Sequence, residues 1–358
     1  CVQHGMSVQK IAVAQNRLRD NTRLYFCESF YEFKNLYKPI YDYRGYNALK
    51  LTGVPRYDGL VNDDKRQIMI SPTWRMQAAV PVRTNEGQQR DYNPLFKEST
   101  YYKVFNALIN DTRLIEAAKK YGYKIKYVLH PIVSSQVDDF DRNEYVDIVP
   151  AVGDMSYERM FCESSLMVTD FSGIQFDFAY MRKPVVYLHH KDIPQHYEEG
   201  SFYYDTMAFG EICHDNDELI DLLCEYMSND CRMKEQYVRR ADDFFYFDDH
   251  SNCERIYREM IDYQNKYILK NTPKAKQEYL QGIFDPLERE RLRKTYIKKQ
   301  KERGEEPAGY TITDDYYRLP LREKAILLLG LGKNVRGNMQ YILNEINSND
   351  DFAGYTAY

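Results

Sequence analysis

The stretch Ser164–His190, which reads SSLMVTDFSGIQFDFAYMRKPVVYLHH, decides the fold of this chain. Inside it, an apolar run at Leu166–Thr169 leads into the polar turn Asp170–Gly173. A short helical pattern then connects this turn to a second apolar run at Val185–Leu188. Strand, turn, helix and strand in this order form the unit from which parallel α/β sheets are built. The stretch therefore predicts an α/β fold with parallel strands.

The polar turn in this stretch has the residue types that suit a phosphate site. In a parallel sheet, the loop after a strand opens into a helix whose first N–H groups are unpaired and favour an anion. Thr169 and Ser172 offer hydroxyl groups there, and Gly173 lets the backbone approach a ligand closely. The alternative is structural, since Asp170 and Ser172 are also common helix caps.

Strand patterns alternate with helical patterns over most of the chain. Besides the two strands above, strands are predicted at Leu24–Phe26, Leu49–Thr52, Gln67–Ser71, Ile125–Leu129 and Val146–Pro150. Helices are predicted at Ala12–Leu18, Ser29–Tyr37, Ser99–Tyr121, Ser156–Cys162, Asp217–Met227, Arg232–Phe245 and Ser251–Lys266. Strands separated by helices of about ten residues or more indicate a doubly wound parallel sheet.

The composition excludes several classes of protein. The chain has 358 residues, enough for about two domains, and its formal net charge of -5 argues against a nucleic-acid binder. Seven cysteines are scattered without a CxxC pair or a Cys/His metal spacing, which indicates reduced thiols in a cytoplasmic protein. The acidic cluster of Asp138, Asp139 and Asp141 lacks EF-hand spacing. This cluster is therefore interpreted as a solvated loop, and we assign no metal site and no cofactor.

The composition changes after about residue 267. Glu288–Glu306 is predicted to be a charged helix with little apolar face, and Arg322–Leu331 a short apolar helix with Lys333 and Arg336 beside it. A solvated helix followed by a packing helix is the simpler interpretation. The functional alternative is a contact with a membrane surface or a partner, because basic residues beside leucine-rich turns suit anionic lipid.

Six pieces of the sequence resemble, in the same order, the CDP-glycerol glycerophosphotransferase family, the bacterial enzymes that prime and polymerise teichoic acids and related capsule polymers. The pieces are VQHGMSVQK (Val2–Lys10), LTGVPRYDGL (Leu51–Leu60), MISPTWR (Met69–Arg75), YVLHP (Tyr127–Pro131), TDFSGIQFDFAYMRKPVVYL (Thr169–Leu188) and FDDHSNCERI (Phe247–Ile256). Together they extend over about residues 1 to 265.

The resemblance implies a GT-B-like α/β fold, in which two Rossmann-type domains with doubly wound parallel sheets face each other across a cleft. We expect residues 1–65 to be a C-terminal remnant of the acceptor-side domain, 66–266 the CDP-polyol-binding domain, and 267–358 a charged helical extension. Because the chain begins with Cys1 and not with Met, we expect the N-terminal domain to be truncated in it.

Two histidines are the predicted catalytic residues. His4 and His130 each follow a strand pattern, in domains expected to face each other, and imidazole exchanges protons near neutral pH. Either histidine alone would be interpreted as structural. The resemblance favours function, since His4 matches the histidine of the family's Trp-His-Gly-Thr piece and His130 matches its second functional histidine. Gln3, Met6 and Gln9 depart from the family pattern around His4.

The predicted substrate-binding residues are those that suit a nucleotide diphosphate. The guanidinium of Arg75, at the end of a strand, fits phosphate oxygens, with a plain salt bridge as the alternative. The resemblance implies that the loop and helix start at 247–255 hold the diphosphate, where Ser251 or Asn252 would cap the helix and offer its amides. The full set is Arg75, Thr169, Asp170, Ser172, Gly173, Asp177, Ser251, Asn252 and Arg255.

The activity implied by the resemblance is transfer of glycerol phosphate, or a related polyol phosphate, from its CDP-activated form to a hydroxyl acceptor, with release of CMP. The expected partners are a CDP-glycerol or other CDP-polyol donor and a lipid-linked or glycan acceptor, at the inner face of the cytoplasmic membrane; no nucleic acid is expected. Two alternatives stay open. One is a GT-B nucleotide-sugar glycosyltransferase or epimerase, and the other is a non-enzymatic scaffold in cell-surface polymer assembly.

Overall fold

The computed structural model describes residues 8, 15–19, 22–80, 90–195, 200–269, 286–304, 325–326, 338–353 and 356–357. The strands are β1 (Tyr25–Cys27), β2 (Leu49–Leu51), β3 (Gln67–Ile70), β4 (Lys124–Leu129), β5 (Val146–Pro150), β6 (Ser164–Thr169), β7 (Val185–Leu188), β8 (Ile212–Cys213), β9 (Ala325–Ile326) and β10 (Thr356–Ala357). The α-helices are α1 (Phe30–Leu36), α2 (Thr100–Ile109), α3 (Thr112–Tyr121), α4 (Tyr157–Glu163), α5 (Ile174–Tyr180), α6 (Tyr204–Met207), α7 (Asn216–Ser228), α8 (Glu235–Phe244), α9 (Asn252–Tyr263), α10 (Pro286–Glu302) and α11 (Asn338–Ser348).

Six parallel strands form the main sheet, in the order β5-β4-β3-β6-β7-β8. Counted from the first strand of this sheet, the order is that of the doubly wound Rossmann fold, in which the chain starts at the middle and winds outward in both directions. The predicted α/β fold class with a doubly wound parallel sheet is confirmed.

Both faces of the main sheet are covered, because alternate side chains along each strand point to opposite sides. Ile68 and Ile70 pack with residues of α2, α3 and α7 on one face. Met69, between them, packs with residues of α4, α5 and α8 on the other. Every residue of β3, β6 and β7 is buried, as expected for central strands of a parallel sheet.

A second, smaller parallel pair, β1 and β2, precedes the main sheet. It packs with α1 around Tyr25, Cys27, Leu36 and Tyr43. Near the other end of the chain, β9 pairs with β10, also in parallel. The predicted domain boundaries after residues 65 and 266 stay predictions.

Several predicted elements differ from the observed ones for local reasons. The predicted helix Ser99–Tyr121 is two helices, because the carboxylate of Asp111 accepts from Arg113 N–H and starts a new helix there. Residues 15–18, predicted as helix, form turns, and Ala325–Ile326, also predicted as helix, form β9. Strand β8 was not predicted, since two residues give no pattern. The rest of Ala12–Leu18 and Arg322–Leu331 lies outside the described residues.

The charged helix predicted at Glu288–Glu306 is observed as α10. Within the described ranges, no helix combines the length and the apolar character that crossing a bilayer requires.

Candidate active site

The strand order reverses between β3 and β6, which lie side by side at the middle of the main sheet. The chain leaves β3 towards one edge of the sheet and leaves β6 towards the other. This strand order predicts a crevice outside their carboxyl ends, where open α/β sheets bind their ligands. Residues 71–75 follow β3 and residues 170–173 follow β6, so two of the predicted site segments meet at this crevice.

The side chain of Asp170 joins these two segments. Its Oδ1 accepts from the Thr73 N–H at 2.8 Å and from the Thr73 hydroxyl at 2.6 Å. Its Oδ2 accepts from Arg75 Nη2 at 2.7 Å, in an ion pair whose side chains are only 2% and 6% exposed. Arg75 also donates to the carbonyls of Thr73 and Pro194. Asp170 and Arg75 thus fix the loop after β3, and their contact with a substrate stays a prediction.

The accessible part of the turn after β6 is Ser172–Gly173. The Thr169 hydroxyl is buried and donates to the Ser71 carbonyl at 2.8 Å, so it links the two central strands. Ser172 and Gly173 are half-buried, and among described atoms nothing lies within 4 Å of where a Gly173 Cβ would stand. The capping alternative has weak support, since Ser172 Oγ is 3.5 Å from the Ile174 nitrogen. This turn leaves room for a ligand.

His130 follows β4, the strand next to β3, and lies at the same edge of the sheet. Its Nδ1 accepts from the Ile132 N–H at 3.2 Å, and its ring centroid is 6.2 Å from that of Trp74. Because Nδ1 accepts, the proton of the neutral imidazole is assigned to Nε2. His4, the other predicted catalytic residue, lies outside the described residues, so the convergence of the two histidines stays a prediction.

A histidine to which the sequence assigned no role also lies at this edge. His189 follows β7, and its ring stacks on Phe171 with centroids 4.1 Å apart. Tyr204 meets the same imidazole edge-on at 4.7 Å. Burial lowers the pKa of His189, so the ring is neutral near neutral pH. This aromatic stack holds Phe171, the residue before Ser172, in place.

Asp177, predicted to bind substrate, forms a buried ion pair with Arg56. The Arg56 guanidinium donates through Nε to Asp177 Oδ1 and through Nη2 to Oδ2 at 2.9 Å. Nη2 also lies 3.4 Å from Glu28 Oε1, and Glu28 Oε2 accepts from the Tyr57 hydroxyl at 2.6 Å. These four side chains connect the region of β1 and β2 to helix α5. Contact of Asp177 with a substrate stays a prediction.

Arg56 carries the positive charge that pairs with both carboxylates of this cluster. Burial raises the pKa of Glu28; the Arg56 charge opposes the rise and the Asp177 charge adds to it. Burial alone would lower the pKa of Arg56, but Asp177 and Glu28 outweigh it and keep the guanidinium charged. Arg56 belongs to the piece LTGVPRYDGL, and the sequence predicted no role for its charge. Its partner lies 121 positions away, so no local pattern of the sequence indicates the pair.

The first turn of α9, predicted to offer amides to a phosphate, is bound by the carboxylate of Asp58. Asp58 Oδ1 accepts from the Asn252 N–H at 2.9 Å, and its Oδ2 accepts from the Cys253 N–H at 2.7 Å. Ser251 is the N-cap residue by position, but its side chain makes no capping bond. The predicted cap by Ser251 is therefore wrong, because an acidic side chain from a distant turn neutralises this helix end.

Arg255 is similarly engaged within the protein. Its Nε donates to the Thr52 carbonyl at 2.9 Å, its Nη1 to both Asp249 oxygens at 2.8 Å, and its Nη2 to Asn252 Oδ1 at 2.7 Å. The guanidinium also lies 3.6 Å from the centroid of the Phe247 ring. The hydrogen bond from Arg255 lowers the pKa of Asp249. Ser251, Asn252 and Arg255 form a rigid corner beside α9, and their contact with a diphosphate stays a prediction.

Over the described residues, no group of three or more His, Cys, Asp and Glu side chains is arranged to hold a metal ion. The acidic cluster is divided among separate partners. Asp138 pairs with Arg142, Asp139 accepts from Tyr92, and Asp141 accepts from Asn106. The six cysteines in the described segments are all free.

Comparison of this chain with known proteins finds a matching family and several relatives. A family model described as CDP-Glycerol:Poly(glycerophosphate) glycerophosphotransferase matches residues 1–262. The minor teichoic acid biosynthesis protein GgaB of Bacillus subtilis (strain 168) is 37% identical over 270 residues, which are 75% of this chain and 29% of that protein. A teichoic acid glycerol-phosphate transferase of Staphylococcus aureus (strain NCTC 8325 / PS 47) is 28% identical over 163 residues, 45% of this chain and 36% of that protein.

Solved structures of the wall teichoic acid polymerase TagF have the same fold. TagF itself has a TM-score of 0.51 at 15% identity, covering 74% of this chain and 67% of that one. A variant of TagF has a TM-score of 0.53 at 16% identity, covering 75% and 69%. The chain spans 29% and 36% of the lengths of the two curated relatives.

Proposed function

This chain belongs to the CDP-glycerol:poly(glycerophosphate) glycerophosphotransferase family, and on that premise we propose that the full-length protein transfers a polyol phosphate in teichoic acid synthesis. The donor is CDP-glycerol or a related CDP-polyol, and CMP is the leaving group. The observation that carries this proposal is the crevice at the strand reversal, with the accessible turn Ser172–Gly173 in it.

The proposed reaction is a substitution at the phosphorus that bears the glycerol. The acceptor hydroxyl oxygen forms a new bond to this phosphorus, and the bond from phosphorus to the bridging oxygen breaks, so that CMP leaves. His4 takes the proton of the acceptor hydroxyl. His130 and the amides of Ser172 and Gly173 offset the negative charge that develops on CMP. Positioning and electrostatic stabilisation supply most of the acceleration in such transfers.

The buried arginines have a different part in this proposal. Arg75 holds the loop after β3 through Asp170, and Arg255 holds the start of α9 through Asp249. Since most of their donors already bond to protein oxygens, we assign them first to shaping the crevice. Any contact with the diphosphate would use the donors that these bonds leave.

The acceptor is proposed to be a hydroxyl on a lipid-linked or glycan polymer, reached at the inner face of the cytoplasmic membrane. The similarity to the Bacillus relative, a minor teichoic acid biosynthesis protein, supports a polymer acceptor. The basic residues predicted beside the apolar segment, Lys333 and Arg336, support contact with anionic lipid and lie outside the described residues.

A panel of activated donors tests the proposed reaction. The full-length protein is incubated with CDP-glycerol, other CDP-polyols and nucleotide sugars, together with a teichoic acid acceptor. We expect CMP and a new phosphodiester from one CDP-polyol. Release of UDP or GDP with a new glycoside would establish the glycosyltransferase alternative instead, and CDP-glycerol binding without turnover would establish the scaffold.

A serine substitution tests the proposed site of the diphosphate. Ser172→Ala removes one donor to a charged oxygen, worth about 1.5–3 kcal/mol, and should weaken CDP-glycerol binding about tenfold or more. The matched control is Ser228→Ala, because the Ser228 hydroxyl donates to the Glu225 carbonyl in the last turn of α7, away from the crevice. Titration calorimetry compares the two variants. Equal affinities would exclude the Ser172 hydroxyl from the donor site.

A further inference from the structure

Helix α11 packs against the Pro55–Gly59 turn, although it lies beyond residues 1–262, which the family model matches. Asn338, the first residue of α11, is only 4% exposed, and its Oδ1 accepts from the Arg56 N–H at 3.0 Å. At the other end of the turn, Tyr341 covers Gly59. A Cβ on Gly59 would stand 1.8 Å from the Tyr341 hydroxyl oxygen. Two side chains of α11 thus hold two ends of one turn.

Further contacts seat α11 in the same place. Burial, followed by a hydrogen bond with Glu158, raises the pKa of the Tyr341 hydroxyl, so this group stays protonated and can donate to Glu158. The Phe352 ring, just after the helix, meets Tyr257 of α9 edge-on at 5.4 Å. An apolar seam between α11 and α9 is lined by Pro55, Ile256, Met260, Ile342, Ile346 and Phe352.

The turn that α11 holds is itself connected to the proposed donor site. Arg56 binds the carboxylate of Asp177 on α5 through two hydrogen bonds, and α5 begins directly after Ser172–Gly173. Asp58 binds the first amides of α9. A displacement of the Pro55–Gly59 turn would therefore move both α5 and α9.

We infer that Asn338 and Tyr341 are positioning residues, through which the C-terminal segment holds the Pro55–Gly59 turn and thereby fixes α5 and the Ser172–Gly173 turn. The inference rests on the proposed function for its substrate, CDP-glycerol, and goes beyond it by giving residues 338–352 a part in donor binding.

Three variants of the full-length protein test the role of Asn338. Asn338→Ala removes the acceptor for the Arg56 N–H, whereas Asn338→Asp keeps an oxygen at this place. Asn347→Ala is the matched control, because it is the same substitution at an exposed position of α11. We expect Asn338→Ala to raise the dissociation constant and the KM for CDP-glycerol about three- to tenfold, with a smaller change in kcat. Asn338→Asp should restore both values, and Asn347→Ala should match the unaltered protein.

A second measurement does not depend on CDP-glycerol. Hydrogen exchange of the α5 amides, followed by mass spectrometry, should be faster in Asn338→Ala than in Asn347→Ala. Gly59→Ala perturbs the same contact from the other side, since its methyl group displaces Tyr341, and should also speed exchange in α5.

The outcomes separate this inference from the proposed function. Unchanged exchange in α5 together with unchanged donor affinity in Asn338→Ala would overturn this inference. A loss of donor affinity that Asn338→Asp does not restore, measured well below the melting temperature, would overturn it too. If the unaltered protein binds no CDP-glycerol, the proposed function fails. The exchange rates then decide alone: faster exchange in α5 supports the positioning role, and equal exchange overturns it.

Discussion

The carboxylate of Asp58 and the backbone of Asn252 are joined by a 2.9 Å hydrogen bond, although the two residues are 194 positions apart. The side-chain amide of Asn252 donates to the same oxygen at 2.6 Å. Two pieces of sequence that identify the family, one around Asp58 and one around Asn252, therefore form one structural unit. The first backbone amides of α9 are therefore already hydrogen-bonded within the protein. The turn after β6 is then the better place for an anion.

Gly53 lies against this unit. Replacing Gly53 by alanine should lower the unfolding free energy by more than the strain of its positive φ alone. Gly53 and Gly45 have φ of 75° and 83°, a conformation that disfavours alanine by about 1–2 kcal/mol. A Cβ on Gly53 would also stand 1.8 Å from Asn252 Oδ1, whereas nothing described lies within 4 Å of one on Gly45. Urea unfolding should show the larger loss for Gly53→Ala, by a further ~1–3 kcal/mol. Equal losses in the two variants would contradict the observed contact.

The ion pair between Arg56 and Asp177 should behave as a coupled, buried pair. Arg56→Met leaves Asp177 and Glu28 without their cation, which should cost about 3–5 kcal/mol of unfolding free energy. Adding Asp177→Asn to Arg56→Met should recover part of this loss, because one uncompensated charge disappears. A double-mutant cycle on unfolding free energies measures the coupling. Strictly additive effects would show that the two side chains do not interact in solution.

Lys183 should make stability depend on pH in the alkaline range. Its ammonium is buried and donates to the carbonyls of Phe161, Cys162 and Ser164 at 2.7–2.9 Å. Burial lowers its pKa from 10.5 to about 8. Between these two values the unfolded chain binds more protons than the folded one, so rising pH favours folding.

The comparison with Lys183→Met isolates this effect. The stability of the unaltered protein relative to that variant should increase by roughly 3 kcal/mol between about pH 8 and pH 10.5. Lys191→Met is the control, because Lys191 is exposed beside Asp215. If the stability difference between the unaltered protein and Lys183→Met stays constant across this pH range, as expected for the control, Lys183 has an ordinary pKa.

Replacing His130 by asparagine should greatly slow transfer and leave the fold intact. An asparagine oxygen can still accept from the Ile132 N–H, as Nδ1 of His130 does at 3.2 Å, so the loop after β4 should keep its shape. Loss of the imidazole should lower kcat by about 100-fold or more, the usual contribution of a group that acts on a transferred proton or charge. CMP release and the melting temperature are measured together. Near-normal turnover by a folded variant would remove His130 from the mechanism.

The main sheet could be predicted from the sequence because its strands are continuous apolar runs. Seven predicted strands overlap the observed strands β1 to β7, and the turn after β6 was predicted from its hydroxyl residues and glycine. The break between α2 and α3 was not predicted, because a single capping residue, Asp111, divides the predicted helix there.

The polar contacts that surround the site could not be predicted in the same way. Arg56 meets Asp177 across 121 positions, and Asp58 meets Asn252 across 194, so no periodicity along the chain records either contact. Arg75 and Arg255 were expected to face phosphate because arginine suits it. The fold provides each of them with a carboxylate and a carbonyl oxygen, and their contact with a phosphate stays a prediction.

The most direct test of the account is an experimental structure of the full-length protein with CDP-glycerol bound. The account predicts that the diphosphate lies in the crevice between β3 and β6, with its oxygens within hydrogen-bond distance of the Ser172 or Gly173 amides and of His130. It also predicts that Asp58 remains bound to the start of α9. A diphosphate seated on the α9 amides in place of Asp58, or bound away from the carboxyl ends of β3 and β6, would contradict it.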